Sequence, residues 1–234
     1  MRALFLLSLV ACARAEGDPK MTSTTEGPLV LELFTSQGCS SCPPADQLLG
    51  KLARSGMGDH PLAPLSFHVD YWNDLGWADP FSSAAWTARQ QQYARVLNDR
   101  VYTPELVVGG QVGMVGSNSM AVTRAIQTVV RPTLLPATAS WTADALSVTA
   151  TAPDDADVWI AVWEESTSTH VPRGENAGET LGSDRVVRRF ERVATAGKKA
   201  QLAVKLDRAW HGTGAVAFAQ RPDGRIVASA MLPH

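Results

Sequence analysis

Two closely spaced cysteines constrain this chain more than any other feature of its sequence. The motif Cys39-Ser40-Ser41-Cys42 follows an apolar run, 29–34, and precedes a segment with the apolar spacing of a helix. Pro43 and Pro44 suit the first turn of that helix, where a missing backbone N–H does no harm. The sequence therefore predicts a strand, a turn that carries both thiols, and a helix.

This placement of the cysteines predicts redox chemistry. Only the thiolate attacks a disulfide, and a free cysteine with a pKa of about 8.5 is mostly protonated at neutral pH. Unpaired backbone N–H groups and the positive end of the helix dipole stabilise an anion at a helix start. We predict that Cys39 is the nucleophile and that Cys42 resolves the mixed disulfide.

Other interpretations of the two cysteines remain open. A purely structural disulfide that closes so short a loop stabilises a fold by only ~2 kcal/mol. A structural zinc site normally needs two Cys/His pairs, and the sequence has no second pair of cysteines. An inert or vestigial pair is the third interpretation.

The net charge and the N-terminus bear on the partners and the location of the protein. A formal net charge of −2 without a strong basic cluster predicts no nucleic-acid partner. Residues 1–15 have the pattern of a signal peptide that ends in Ala13-Arg14-Ala15, and 16–27 predict a flexible leader. We expect an exported protein, periplasmic or secreted, without a membrane span. The run that ends at Cys12 also resembles a lipobox, so a lipoprotein anchored at Cys12 is the alternative.

The order of the predicted elements indicates an α/β fold. The segments are a strand at 29–34, a helix to about 55, a strand at 65–71, a helix from Asp79-Pro80 to about 97, a hairpin at 105–115 and a helix at 120–130. This is the minimal thioredoxin-like topology, with the redox motif at the carboxyl end of the first strand. Short alternating segments at 137–234 predict a smaller β-sandwich-like domain, so we expect domains at 28–132 and 137–234.

The stretch LFTSQGCSSCPPAD, residues 33–46, resembles the signature of a bacterial family of exported thioredoxin-like proteins whose function is unassigned. Further stretches that resemble the family are 68–72, 76–77, 79–81, 101–104 and 174–176. The resemblance implies the fold and a cis-proline, Pro104, against the CxxC turn, with the backbone of Thr103 binding an extended substrate. Asp184 departs from the pattern, since the resemblance leads us to expect histidine there.

Two further positions are candidates for the chemistry. Thioredoxin-like enzymes often keep a buried acid near the first cysteine, so Glu32 is a candidate proton relay, with a carboxylate on the strand face as the alternative. His68 and Asp70 share one face of their strand and are candidates to line the site; the alternative is that His68 is a structural histidine hydrogen-bonded to a nearby acid.

Two other segments have both a functional and a structural interpretation. The loop 174–176 is either a tight turn or a lid over the redox site. Aromatic residues are concentrated after the second strand and form either core or a wall beside the cysteines; they are Trp72, Trp77, Phe81 and Trp86.

The first functional hypothesis is an exported thiol–disulfide oxidoreductase that acts on a protein or a small thiol and needs no dissociable cofactor. Its predicted site contains Cys39, Cys42, Thr103, Pro104 and Glu32. Two alternatives remain. One is a Cu(I) chaperone whose ligands are the two cysteines and His68, and the other is a binding module with a vestigial CxxC. The direction of electron transfer and the oligomeric state stay open.

Overall fold

The computed structural model describes residues 25–58 and 60–234. The predicted signal peptide, 1–15, lies outside the described residues, as do Cys12 and most of the predicted leader. At the end of that leader Glu26 forms a β-bridge with Thr133, and the N–H of Gly27 donates to the carbonyl of Pro132 at 2.9 Å.

The described residues contain helices and strands that form a mixed α/β fold. The helices are α1 (Pro43–Ser55), α2 (Ala84–Val96) and α3 (Ser119–Thr128), with a 3₁₀ turn at Asn73–Leu75. The strands are β1 (Leu29–Thr35), β2 (Leu62–His68), β3 (Glu105–Val108), β4 (Val112–Val115), β5 (Thr133–Leu134), β6 (Ala137–Trp141), β7 (Ala145–Thr151), β8 (Asp157–Glu164), β9 (Thr167–His170), β10 (Thr180–Ser183), β11 (Val186–Ala194), β12 (Lys199–Lys205), β13 (Thr213–Gln220) and β14 (Ile226–Met231).

One large sheet runs through most of the molecule. Nine strands lie in the order β4-β3-β1-β2-β11-β8-β13-β14-β5. Strand β1 pairs in parallel with β2 and antiparallel with β3. Strands β2 and β11 meet at a single parallel pair, Ser66 with Val186, where the N–H of Ser66 donates to the carbonyl of Arg185 at 2.9 Å. Strands from both predicted domain ranges therefore belong to one sheet, and the boundary at 133–136 stays a prediction.

Apolar residues cover both faces of this sheet. Every residue of β1 is buried, as a continuous apolar run predicts for a strand covered on two sides. Its leucines pack with α1 and α3 on one face, and Phe34 packs with Phe67 and Trp86 of α2 on the other. The smaller sheet, β12-β7-β6, packs against β8, β13 and β14 through alternating apolar residues.

Two predicted boundaries are wrong. Strand β2 covers 62–68 instead of 65–71, and α2 begins at Ala84 instead of Pro80. Ser83 caps this helix by accepting a hydrogen bond from the N–H of Ala85. The carboxylate of Asp79 was expected to be the cap, but it binds His68 and the backbone of Gln37 instead.

Candidate functional site

The two cysteines form a disulfide at the start of α1, directly after β1. Cys42 is the N-cap residue, and the prolines follow in the first turn, as their sequence predicts. The N–H of Cys42 donates to the carbonyl of Cys39 at 3.2 Å, which closes the turn. Both cysteines have an exposed fraction of 0%. An attacking thiol can therefore reach the disulfide only if something moves.

The segment 102–104 is joined to the cysteine turn by Trp72. The Thr103–Pro104 peptide bond is cis, and Pro104 is buried. The indole N–H of Trp72 donates to Oγ1 of Thr103 at 2.9 Å. On its other side Trp72 lies against Gly38, where an added Cβ would be 3.1 Å from the Cβ of Trp72. Trp72 thus brings the predicted Thr103 and Pro104 into one cluster with the turn.

A loop that is distant in sequence binds the turn that carries the disulfide. We call residues 171–179, which connect β9 to β10, the lid. Its Asn176 is buried and donates its side-chain N–H groups to the carbonyls of Gln37 at 2.9 Å and Cys39 at 3.1 Å. The carboxylate of Glu175 accepts a hydrogen bond from the backbone N–H of Ser40 at 2.9 Å. The lid therefore binds the backbone on both sides of Cys39.

Close packing against Trp77 positions the lid. Gly174 has a φ of 89°, and a Cβ added there would lie 3.1 Å from the Cβ of Trp77. The indole N–H of Trp77 in turn donates to Oε1 of Gln37 at 3.2 Å. Any larger residue at 174 would strain the backbone and push the lid away from the cysteine turn.

A cluster of buried polar side chains lies next to the cysteine turn, at the carboxyl ends of β1 and β2. Asp79 accepts hydrogen bonds from Nδ1 of His68 and from the N–H of Gln37, both at 2.7 Å. Thr35 donates to Asp46 at 3.1 Å, and Thr35 and His68 are paired residues of adjacent strands. Within the described residues, Nε2 of His68 and Oδ1 of Asp46 are buried without a hydrogen-bond partner.

The environment shifts the pKa of each titratable group in this cluster. Burial raises the pKa of Asp46 to about 7, although the charge of His68 opposes the shift. Burial lowers the pKa of His68, but the charge and hydrogen bond of Asp79 outweigh it and hold that pKa above 6.5. Burial raises the pKa of Asp79, yet His68 and two backbone N–H groups outweigh this and keep it below 3.8. The cluster thus holds exchangeable protons near neutral pH.

These shifts predict that stability falls as the pH rises. Between 3.8 and about 7 the folded protein binds the Asp46 proton more tightly than the unfolded chain, so unfolding becomes easier through this window. The contribution of His68 is complete below 6.5 and is lost as the pH rises through its raised pKa. We expect the free energy of unfolding of the oxidised protein in urea to be lower at about pH 8 than at about pH 5.

The Asp46→Asn variant should reduce this pH difference by about 2 kcal/mol. This is less than the full shift implies, because the interval from about pH 5 to about pH 8 covers only part of the shift and because Asp46 as a whole residue is partly exposed, although its Oδ1 is buried. Asp74→Asn, at an exposed acid, is the matched control and should leave the difference unchanged. An Asp46→Asn protein with the pH profile of the original chain would contradict the assignment of the shift to Asp46.

The candidate proton relay, Glu32, lies in a different cluster. Its carboxylate is fully buried and binds Arg89 and the hydroxyl of Tyr93. No hydrogen bond from Glu32 to either cysteine is present among the described residues, so the relay role stays a prediction. Asp46 is closer in the chain, four residues after Cys42, and the N–H of Asp46 donates to the carbonyl of Cys42 at 3.2 Å. The sequence prediction missed Asp46; the signal that could have indicated it is its spacing from Cys42, since residues four apart share one face of a helix.

Asp70 lies outside this acid–histidine cluster. Its carboxylate accepts a hydrogen bond from the hydroxyl of Thr87 at 2.6 Å. Of the predicted aromatic group, Trp72 and Trp77 contact the site, whereas Trp86 packs in the core with Phe67. Phe81 lies against the ring of His68.

Asp184, where the family resemblance implies histidine, connects α1 to the strands that carry the lid. Its carboxylate binds Arg54 of α1 and accepts a hydrogen bond from Ser166 at 3.0 Å. It also lies directly against Gly50, where an added Cβ would overlap it. The polar contact at this position is thus an acid–arginine pair.

Neither a metal cluster nor a membrane helix was found in the described part of the chain. Across 25–58 and 60–234, no three His, Cys, Asp or Glu side chains are arranged to hold a metal ion. His68, the third ligand of the alternative copper site, uses Nδ1 to bind Asp79. No helix among the same residues has the length and apolar character needed to cross a membrane.

A fold and a site of this kind define an α/β protein with a covered CxxC disulfide. The chain belongs to the family described as "Protein of unknown function (DUF1223)", whose sequence profile matches residues 30–220. A crystal structure of a protein from Agrobacterium tumefaciens is similar, with 30% sequence identity, a TM-score of 0.64 and coverage of 88% of this chain and 95% of that one.

A more distant structure shares the fold alone. HBP35 of Porphyromonas gingivalis is 13% identical, with a TM-score of 0.59 and coverage of 89% of this chain and 75% of that one. No curated protein has significant similarity to the chain.

Proposed function

We propose that this protein is an exported thiol–disulfide oxidoreductase with a thioredoxin-like core. The observation that carries the proposal is the Cys39–Cys42 disulfide at the first turn of α1. The order β1-α1-β2-α2-β3-β4-α3 supports the thioredoxin-like assignment. The signal-peptide pattern of residues 1–15 supports export to the periplasm or the medium.

The proposed reaction is a two-electron exchange. The Cys39 thiolate attacks a substrate disulfide, a mixed disulfide forms, and one substrate thiolate leaves. Cys42 then loses its proton and attacks the sulfur of Cys39, which releases the second substrate thiol and restores the Cys39–Cys42 disulfide. The substrate is reduced and the cysteine pair is oxidised, and the same steps in reverse oxidise a dithiol.

The cluster of Asp46, His68 and Asp79 supports the proposal because it offers an acceptor for the proton that Cys42 loses. Asp46 lies one helical turn after Cys42, and its pKa of about 7 suits proton exchange at neutral pH. Trp72 and Thr103, on the other side of the turn, are suited to hold the substrate backbone.

The experiment that tests the proposal is a titration of the reduced protein. We expect the ultraviolet absorbance of the Cys39 thiolate to titrate below the ordinary value of about 8.5, and the protein to equilibrate with a glutathione redox buffer. A Cys39→Ser variant supplies the thiolate baseline. A thiolate pKa at or above that value, together with no exchange, would contradict the oxidoreductase proposal.

One observation favours a second candidate, a binding module in which the disulfide is not catalytic. The exposed fraction of both cysteines is 0%, and Asn176 of the lid binds the carbonyl of Cys39. If the lid never opens, the disulfide only fixes the start of α1. The glutathione experiment separates the two candidates, since a module with a permanently covered disulfide would not exchange.

A further inference from the structure

The lid makes polar contacts with the cysteine turn that close packing alone would not require. Asn176 donates to the carbonyls of Gln37 and Cys39, and Glu175 accepts the N–H of Ser40, the residue after Cys39. These bonds span 137 residues of sequence between Cys39 and Asn176. They connect the lid to the backbone of the turn that carries Cys39. The local charges at this turn determine whether a reduced Cys39 is a thiol or a thiolate.

The contact between Glu175 and Ser40 is favourable in the oxidised protein and unfavourable in the reduced protein. The disulfide is neutral, so the carboxylate can bind the N–H of Ser40 without a competing charge. After reduction, a thiolate on Cys39 lies one residue before this N–H, which can stabilise the new charge only if Glu175 gives it up. Two negative charges then lie close together at one turn and repel each other.

We propose that the lid is controlled by the oxidation state of the cysteines: Glu175 and Asn176 hold it closed over the disulfide, and the thiolate formed on Cys39 displaces Glu175 and releases it. The inference rests on the proposed function, because release would expose Cys39 when it is reactive. The N–H of Ser40 also holds the pKa of Glu175 below its ordinary 4.5, so its carboxylate is charged at neutral pH.

The reducing step needs a dithiol. The dithiol attacks the Cys39–Cys42 disulfide and becomes a disulfide itself, and both of its electrons pass to the two cysteines. Cys42 keeps one proton as a thiol, whereas Cys39 gives its proton to solvent and stays a thiolate. The negative charge that displaces Glu175 is therefore produced by the reaction itself.

The coupling must be reciprocal. If reduction favours the open lid, the closed lid favours the oxidised pair by the same factor. Removing the charge of Glu175 therefore stabilises the reduced form and shifts the reduction potential upward. A neighbouring charge changes a thiolate pKa by about one unit, a tenfold change in the equilibrium, and for two electrons this corresponds to about 30 mV.

The first measurement is the reduction potential of the full chain in dithiothreitol buffers. Glu175→Gln keeps an oxygen that can accept the N–H of Ser40 but loses the charge, and we expect an upward shift of about 30 mV. Glu179→Gln is the matched control, because Glu179 is an exposed acid of the same lid. Only its backbone is hydrogen-bonded within the lid: its carbonyl accepts from the N–H of Val171, and its N–H donates to the carbonyl of Asn176. Equal potentials for the two variants would overturn the role of Glu175.

The second measurement is hydrogen exchange of the lid in both oxidation states. We expect amides in 171–179 and that of Ser40 to be protected in the disulfide form and to exchange at least about tenfold faster after reduction. In Glu175→Gln this difference should shrink. Equal protection in both states of the original chain would overturn the proposal.

The third measurement addresses access to the disulfide. The rate of reduction should reach a plateau at high dithiothreitol concentration, because opening of the closed lid becomes limiting. Asn176→Ala should raise the plateau about tenfold. Should this variant fold poorly, Glu175→Gln still tests the proposal. All three measurements use dithiothreitol as the reductant and do not depend on glutathione. The lid proposal can therefore hold even if the glutathione test excludes an oxidoreductase. Conversely, the protein can exchange with glutathione while the three lid measurements fail.

Discussion

A Cys42→Ala variant is expected to accumulate mixed disulfides through Cys39 and to lose at least about a thousandfold in turnover. Without Cys42 the described residues 25–58 and 60–234 hold no second thiol that could attack the mixed disulfide, so the intermediate persists. Non-reducing electrophoresis and intact mass measure the adducts after expression with residues 1–15, the proposed signal peptide, retained. Exchange with glutathione measures the lost turnover.

The control for this variant is Cys39→Ser, which should form no adducts, since the remaining Cys42 lies one turn further into the fold. The fold itself should survive both changes, because a disulfide across so short a loop contributes only ~2 kcal/mol. Adducts in neither variant would favour the binding module. Adducts only in Cys39→Ser would show that the roles of the two cysteines are reversed.

The largest expected effect on stability comes from Arg89 of α2. Its guanidinium binds the fully buried carboxylate of Glu32 and lies 4.3 Å from the ring centre of Phe190. It also donates to Oε1 of Gln220 at 3.2 Å and to the hydroxyl of Tyr93 at 3.1 Å. Arg89→Met would leave the carboxylate buried without its counter-charge, which typically costs about 3–5 kcal/mol.

A double variant, Glu32→Leu with Arg89→Met, tests this explanation by urea unfolding. Replacing both charges with apolar groups removes the unpaired ion, so most of the loss should be recovered. Arg208→Met, in an exposed ion pair with Asp144, should change stability little. A double variant as unstable as Arg89→Met would contradict the explanation.

The same double variant decides the predicted relay role of Glu32. If Glu32 carried the proton of Cys42, the double variant would lose thiol exchange even where it is folded. If Asp46 and His68 carry it, exchange and its pH profile should be retained. The stability experiment thus also tests a site assignment.

Local sequence patterns were sufficient for the first part of the fold. The apolar run before Cys39, the prolines after Cys42 and the Gly109-Gly110 turn each act on their own neighbours, and β1, α1 and the β3–β4 hairpin lie where these patterns predict. The start of α2 was mispredicted because Asp79-Pro80 has the local pattern of a cap. His68 of β2 binds Asp79 instead, and sequence periodicity does not contain that contact.

The candidate site could be predicted from local patterns only at the cysteine motif, and its other parts depended on the family resemblance or on contacts across the fold. Cys39 and Cys42 form one motif, whereas Thr103 and Pro104 were implied by the family resemblance. The loop 174–176 was predicted to be either a tight turn or a lid, and its contact with the carbonyl of Cys39, through Asn176, crosses the fold. Strands β9 and β10, which carry the lid, are short and rich in small polar residues, so no alternating apolar pattern marks them.

The single ladder that joins β2 to β11 limits how the lid can move. The lid belongs to an insertion, 165–185, between β8 and β11, and these two strands pair with each other and belong to the same sheet as β1. Both ends of the segment 165–185 are thus fixed by backbone hydrogen bonds. Because the ranges 28–132 and 137–234 share one sheet, they cannot move apart as two rigid domains. Opening is then a local release of the loop, which falls in the microsecond-to-second range of lid opening and local unfolding and does not require the hinge motion of separate domains.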